Sequence, residues 1–196
     1  QSRHRLVGVY GEFRADWKNT IFATVTGRND WSSTLPKANR SFFYPSVSGA
    51  IVFSQFLQDR ELIDDSFLSF GKLRVSWAKV GKDAGAYVTN TYLGSAATFL
   101  NDITGYGTSW ERGNPILEPE MTESTEIGLE LRFFKNRLKV DYAYYTNNSL
   151  NQIISPRGPQ STGFIFCSQN IGDIYNKGME LTIGGTPIQT KDFTWD

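Results

Sequence analysis

Apolar and polar residues alternate one by one along most of this 196-residue chain. A period of two suits a β-strand whose faces meet different surroundings, and it does not suit a helix. Val7, Val9, Phe13 and Ala15 fall on one side of the first run, and Tyr10, Glu12, Arg14 and Asp16 on the other. The next run sets Ile21, Ala23 and Val25 against Phe22, Thr24, Thr26 and Arg28, after a tight hairpin connection at Asp16-Trp17-Lys18-Asn19. Val47, Gly49, Ile51 and Phe53 alternate with Ser46, Ser48, Ala50 and Ser54, and Leu73, Val75 and Trp77 with Lys72, Arg74 and Ser76. The clearest run is Ile127, Leu129, Leu131 and Phe133 against Glu126, Gly128, Glu130 and Arg132. A turn at Lys135-Asn136-Arg137 leads into Val140, Tyr142 and Tyr144, which alternate with Lys139, Asp141 and Ala143. Met179, Leu181 and Ile183 repeat the pattern around Glu180 and Thr182. About eight strands are expected, the last one truncated, each near the ~10 residues that cross a bilayer at a tilt.

No run approaches the roughly 18 apolar residues of a membrane-spanning helix, which excludes a helical membrane protein. The mean hydropathy of −0.36 is that of a soluble chain. It does not exclude a membrane barrel, whose strands average lipid-facing and lumen-facing residues. A formal net charge of zero argues against a nucleic-acid binder. The aromatic share of 14% and the 18 glycines fit an all-β chain with many turns and aromatic girdles. With a single cysteine, Cys167, no internal disulfide forms. Gln1-Ser2-Arg3-His4-Arg5 and Phe193-Thr194-Trp195-Asp196 both read as cut ends, so the missing signal peptide carries no information.

The connections carry a second rhythm. They run short (16–19), long (30–42), intermediate (55–70), long (81–121), short (134–137), long (147–170) and short (186–192). Alternate connections of an up-and-down barrel emerge at the same end, and outer-membrane barrels keep short turns inside and long loops outside. The 55–70 segment has helical spacing in Phe56, Leu57, Leu62, Ile63 and Phe67. From alternation alone a soluble carbohydrate-binding β-sandwich stands equally well. The loop rhythm and the Tyr- and Trp-rich strand ends favour the antiparallel transmembrane β-barrel.

Several blocks resemble the C-terminal part of the SusC/RagA family of TonB-linked outer-membrane proteins. They are residues 28–36 and 39–46, Lys72–Trp77, Asn114–Glu120 with Glu126–Glu130, Asp141–Tyr145 with Asn151-Gln152-Ile153, Ser161–Phe164, Asn170–Ile174 and Asn176–Leu181. Their order and spacing cover nearly the whole chain, except about 82–112. The resemblance implies a barrel of about 22 strands, the size that holds a plugged lumen. Residues 1–196 would be part of that barrel domain, without its plug and remaining strands. It further implies import of oligosaccharides or peptides driven through TonB, a SusD-like surface lipoprotein as lid, and residence in the outer membrane of a Bacteroidetes-type cell. Ile127, Leu129, Leu131 and Phe133 would then face lipid, and Glu126, Glu130 and Arg132 the lumen.

No catalytic constellation is evident, and neither a metal nor a cofactor is expected. His4 has no obvious partner, and one His with one Cys does not make a zinc site. Asp64-Asp65 and Glu118/Glu120 read as solvated turn carboxylates. Gly105-Tyr106-Gly107 lacks the setting of a nucleotide loop. Cys167 reads as a plain free thiol. Binding is the more plausible work for the loops. Trp31, Tyr92, Tyr106 and Trp110 lie in or beside them, with Asn29, Asp30, Arg40 and Arg112 as polar partners. Aromatic faces stack on sugar rings while polar groups orient them. The competing reading is that these residues pack the loops or touch a lid protein.

Overall fold

The computed structural model describes all residues except 1–2, 59, 61–66, 100–102, 192 and 196. Its first hairpin joins β1 (Leu6–Trp17) to β2 (Ile21–Ser32). Lys18 and Asn19 both take positive φ, 51° and 53°, and the Thr20 N–H donates to the Trp17 carbonyl at 3.0 Å. Left-handed residues at the turn centre match the twist of the flanking strands. They also set the register, in which Phe13 faces Val25 and Glu12 faces Thr26. A slip of one residue would turn every apolar side chain to the other face.

The sheet continues through β3 (Ser41–Val52), β4 (Leu68–Lys82), β8 (Glu120–Phe133), β9 (Leu138–Ile154) and β11 (Gln169–Gly185). These seven strands lie in the order β1-β2-β3-β4-β8-β9-β11, each antiparallel to its neighbour. The result is an open piece of an up-and-down barrel wall with free edges at β1 and β11. Between β4 and β8 come β5 (Leu93–Phe99), β6 (Ile103–Thr108) and β7 (Glu111–Arg112). Between β9 and β11 come a 3-10 turn (Gln160–Thr162) and β10 (Phe166–Cys167), while β12 (Ile188–Gln189) and β13 (Thr194–Trp195) pair after β11.

Register makes the two faces continuous. Val25, Val47 and Trp77 form one row, and Val75, Ile127, Tyr144 and Met179 another. Leu73, Leu129, Tyr142 and Leu181 form a third. This apolar face carries no second layer among the described residues, and Ile127 is 47% exposed. A sandwich covers such a face with another sheet, whereas these seven strands form a single one. The opposite face is polar. Arg74 reaches Glu126 and Asp141, both at 3.4 Å, spanning β4, β8 and β9. It can lie flat because Gly128 has no side chain; a Cβ there would overlap Arg74. Arg132 pairs with Glu130 at 2.6 Å on the same face.

Four expectations need correction. Phe53 is not in a strand: it opens the helix α1 (Phe53–Gln58). The Val52 N–H donates to the Thr20 carbonyl at 2.8 Å, which closes the ladder there. Thr20 Oγ1 then donates to Gln55 at 2.6 Å and holds α1 to the turn. Leu62, Ile63 and Asp64-Asp65 lie outside the described residues. Residues 147–154 belong to β9 rather than to a loop, with a bulge at Asn151, whose φ is 57°. The 81–121 connection holds the β5–β6 hairpin. The main sheet has seven strands rather than eight, because β13 pairs with β12.

Candidate functional site

Because the strands alternate in direction, the connections 33–40, 83–119 and 155–168 all leave at one end of the sheet. There the chain builds its hydrophobic cluster. Leu117, 0% exposed, packs with Leu35, Phe42 and Ala84, and Tyr44, Val88 and Ile153 close around them. Asn39 Nδ2 donates to the Leu117 carbonyl at 3.0 Å, joining the first connection to the second.

Two carboxylates tie the loops together. Asp83 Oδ2 accepts from Ser32 at 2.5 Å and Thr34 at 3.0 Å, and lies 2.7 Å from His4 Nε2. Burial pushes the Asp83 carboxyl up, but hydrogen bonds from Ser32, Thr34 and His4 outweigh it and hold it below its ordinary value. Glu111 Oε1 accepts from Ser155 and Ser168, both at 2.7 Å. Those two hydroxyls hold the Glu111 carboxyl below its ordinary value against the opposing effect of burial. The same strand, β7, pairs in parallel with β10, so Arg112 lies opposite Cys167. Beside this bridge Asn170 donates to the carbonyls of Glu118 at 2.9 Å and Asn151 at 2.8 Å. Asn151 Nδ2 donates in turn to Glu118 Oε2 at 3.2 Å. These residues, with Arg112, Asn114 and Gln169, line a groove of about 490 Å³.

The structure separates the residues expected to bind. Asn29 and Trp31 pair with Val9 and Val7 on the apolar face, away from the polar interior. Asp30 is on the polar face but only 3% exposed, accepting from Arg28 Nε at 2.8 Å and Tyr44 Oη at 2.6 Å. Gly8 leaves the room it occupies. Arg40 is exposed at the start of β3, its carbonyl accepting from the Ser32 N–H at 2.9 Å. Tyr106 and Trp110, each 72% exposed, stand on β6 and just before β7. Arg112 lines the groove and Trp110 stands two residues before it in the chain, while the rest are dispersed. Asp83, Glu111 and Asn170, which organise the loops, escape a sequence reading. Their partners lie 19 to 79 residues away along the chain. Among the described residues no group of three or more His, Cys, Asp or Glu side chains could hold a metal ion.

A family model described as TonB dependent receptor-like, beta-barrel, matches residues 1–196. The TonB-dependent receptor SusC of Bacteroides thetaiotaomicron is 33% identical over 210 residues, covering 100% of this chain and 20% of its own. The TonB-dependent receptor P26 of Formosa agariphila is 32% identical over 198 residues, covering 99% and 20%. A solved structure of the RagAB peptide importer in its closed-closed state superposes with a TM-score of 0.85 at 27% identity, over 96% of this chain and 20% of that one. The siderophore receptor PirA of Pseudomonas aeruginosa shares the fold, with a TM-score of 0.63 at 17% identity over 98% of this chain and 33% of that one. The resemblance to SusC and RagA noted in the sequence is borne out over the whole chain. The chain spans about a fifth of the length of the curated relatives it matches.

Proposed function

We propose, for a chain that belongs to the TonB-dependent receptor-like β-barrel family, that it supplies part of the wall and three outer loops of an outer-membrane importer. The observation that carries this reading is the two-faced sheet with its long connections gathered at one end. The apolar face lies against lipid, and the Arg74–Glu126–Asp141 face lines the lumen. Cargo, an oligosaccharide or a peptide, meets the loop end first. A SusD-like surface lipoprotein closes over that end, and TonB supplies energy through regions outside these residues. No bond is made or broken. One relative's description as a peptide importer favours peptide cargo, while the exposed Tyr106 and Trp110 favour sugar.

The test uses the full-length protein in its native cell. Uptake of labelled oligosaccharides and peptides is measured with TonB present and deleted, and with the neighbouring lipoprotein deleted. Uptake that stops without TonB and weakens without the lipoprotein supports the reading. Uptake that continues unchanged without TonB identifies a passive pore and refutes it.

A further inference from the structure

Arg112 is the arginine that lines the groove, and no carboxylate pairs with it among the described residues. Its position is nonetheless held. Glu111 turns to Ser155 and Ser168. Alternation along β7 sends Arg112 the other way, into the groove beside Cys167. Trp110, in the bend just before β7, is 72% exposed. The groove wall is set before any ligand arrives, because Glu118, Asn151 and Asn170 already hydrogen-bond one another. Preorganised polar groups of this kind lose little on binding.

A free guanidinium, amide-rich walls and a bare indole together match one chemistry. We infer that this groove takes a carboxylated sugar. The uronate carboxylate pairs with Arg112 through a two-pronged charged hydrogen bond. Ring hydroxyls meet Asn114, Gln169 and the Glu118 carboxylate, which accepts from hydroxyls and repels a second anion. The apolar face of the sugar ring lies on Trp110. The inference rests on the importer reading for the origin of such a ligand, but binding itself needs neither TonB nor transport.

Cys167 lies opposite Arg112, lines the groove and is partly exposed, so it serves as a reporter. Purified full-length protein is alkylated with N-ethylmaleimide, and modification of Cys167 is followed by mass spectrometry of its peptide. The probes are polygalacturonate, alginate and glucuronan fragments, their methyl esters, neutral glucose oligomers and a tryptic peptide mixture. Free uronates should slow alkylation, and their methyl esters should protect about 10- to 100-fold more weakly, the loss of one charged hydrogen bond. Arg112→Gln should erase the difference between acid and ester, and Arg112→Lys should restore part of it. Trp110→Ala, at an exposed site, should weaken every protecting sugar, whatever the folding of the arginine variants. Equal protection by acid and ester, no protection by any uronate, or protection by peptides alone each overturns the inference. Loss of uptake with Cys167 protection intact would instead count against the transport reading.

Discussion

Two neighbouring residues of β3 test the assignment of faces. Val47 sits in mid-strand, in a row with Val25 and Trp77, and is 47% exposed on the apolar side. Ser48 points the other way, in a row with Thr24 and Ser76, with Glu126 beyond Ser76. An arginine on the lipid face near the bilayer midplane costs about 2–4 kcal/mol. Losing the lipid contact of the exposed half of a valine adds about 1 kcal/mol. Val47→Arg should therefore destabilise the full-length barrel by roughly 3–5 kcal/mol. Ser48→Arg enters a hydrated lumen lined by polar groups and should change stability by no more than about 0.5 kcal/mol. Urea titration of folding into lipid vesicles, followed by heat-modifiable gel migration, measures both. If the two substitutions cost the same, or Ser48→Arg costs more, the faces have been assigned the wrong way round.

Gly128→Val would drive a side chain into Arg74, so the Glu126 and Asp141 contacts should break; a structure of the variant should show Arg74 displaced. Leu117→Ala removes the most buried side chain of the loop cluster and should cost about 2–4 kcal/mol. Hydrogen exchange should show that cost in residues 83–119 and leave the strand amides of β8 and β9 protected. Asp83 and Glu111 both titrate below their ordinary values in the folded chain. Their contribution is complete above the unfolded pKa values of about 4 and fades as pH falls through the lower folded values. Proteolysis of the outer loops should accelerate only below about pH 4, and Glu111→Gln should remove the part that Ser155 and Ser168 confer.

The faces of β1, β2, β8 and β9 are legible in the sequence for a physical reason. Lipid on one side and a wet lumen on the other impose opposite demands on alternate residues. That signal lapses where its cause does. β9 runs on through Thr146-Asn147-Asn148-Ser149 with no apolar face, because beyond the bilayer both sides meet polar surroundings. Phe53 continues the alternation of β3 yet enters a helix, since the hydrogen bonds of Thr20 close the ladder at Val52. The candidate binders illustrate the same limit. Asp30 has the right chemistry for a ligand contact, but Arg28 and Tyr44 already occupy it. Glu111 lies between two of the proposed residues, Trp110 and Arg112, and its role depends on hydroxyls at Ser155 and Ser168. No local spacing announces contacts made across such distances.

The β5–β6 hairpin closes on itself at its neck. Ser109 N–H donates to the Tyr92 carbonyl at 2.9 Å, Asn114 N–H to the Val88 carbonyl at 3.1 Å, and Gly113 N–H to Thr91 Oγ1 at 3.1 Å. Beyond the Tyr92–Ser109 bond, the described strand residues pair only with each other, β5 with β6. Such a segment can be lengthened, shortened or replaced without altering strand register or the Leu117 cluster beneath it. An evolving lineage could therefore acquire a new recognition surface by exchanging one short stretch of gene, while the wall that carries it stays constant.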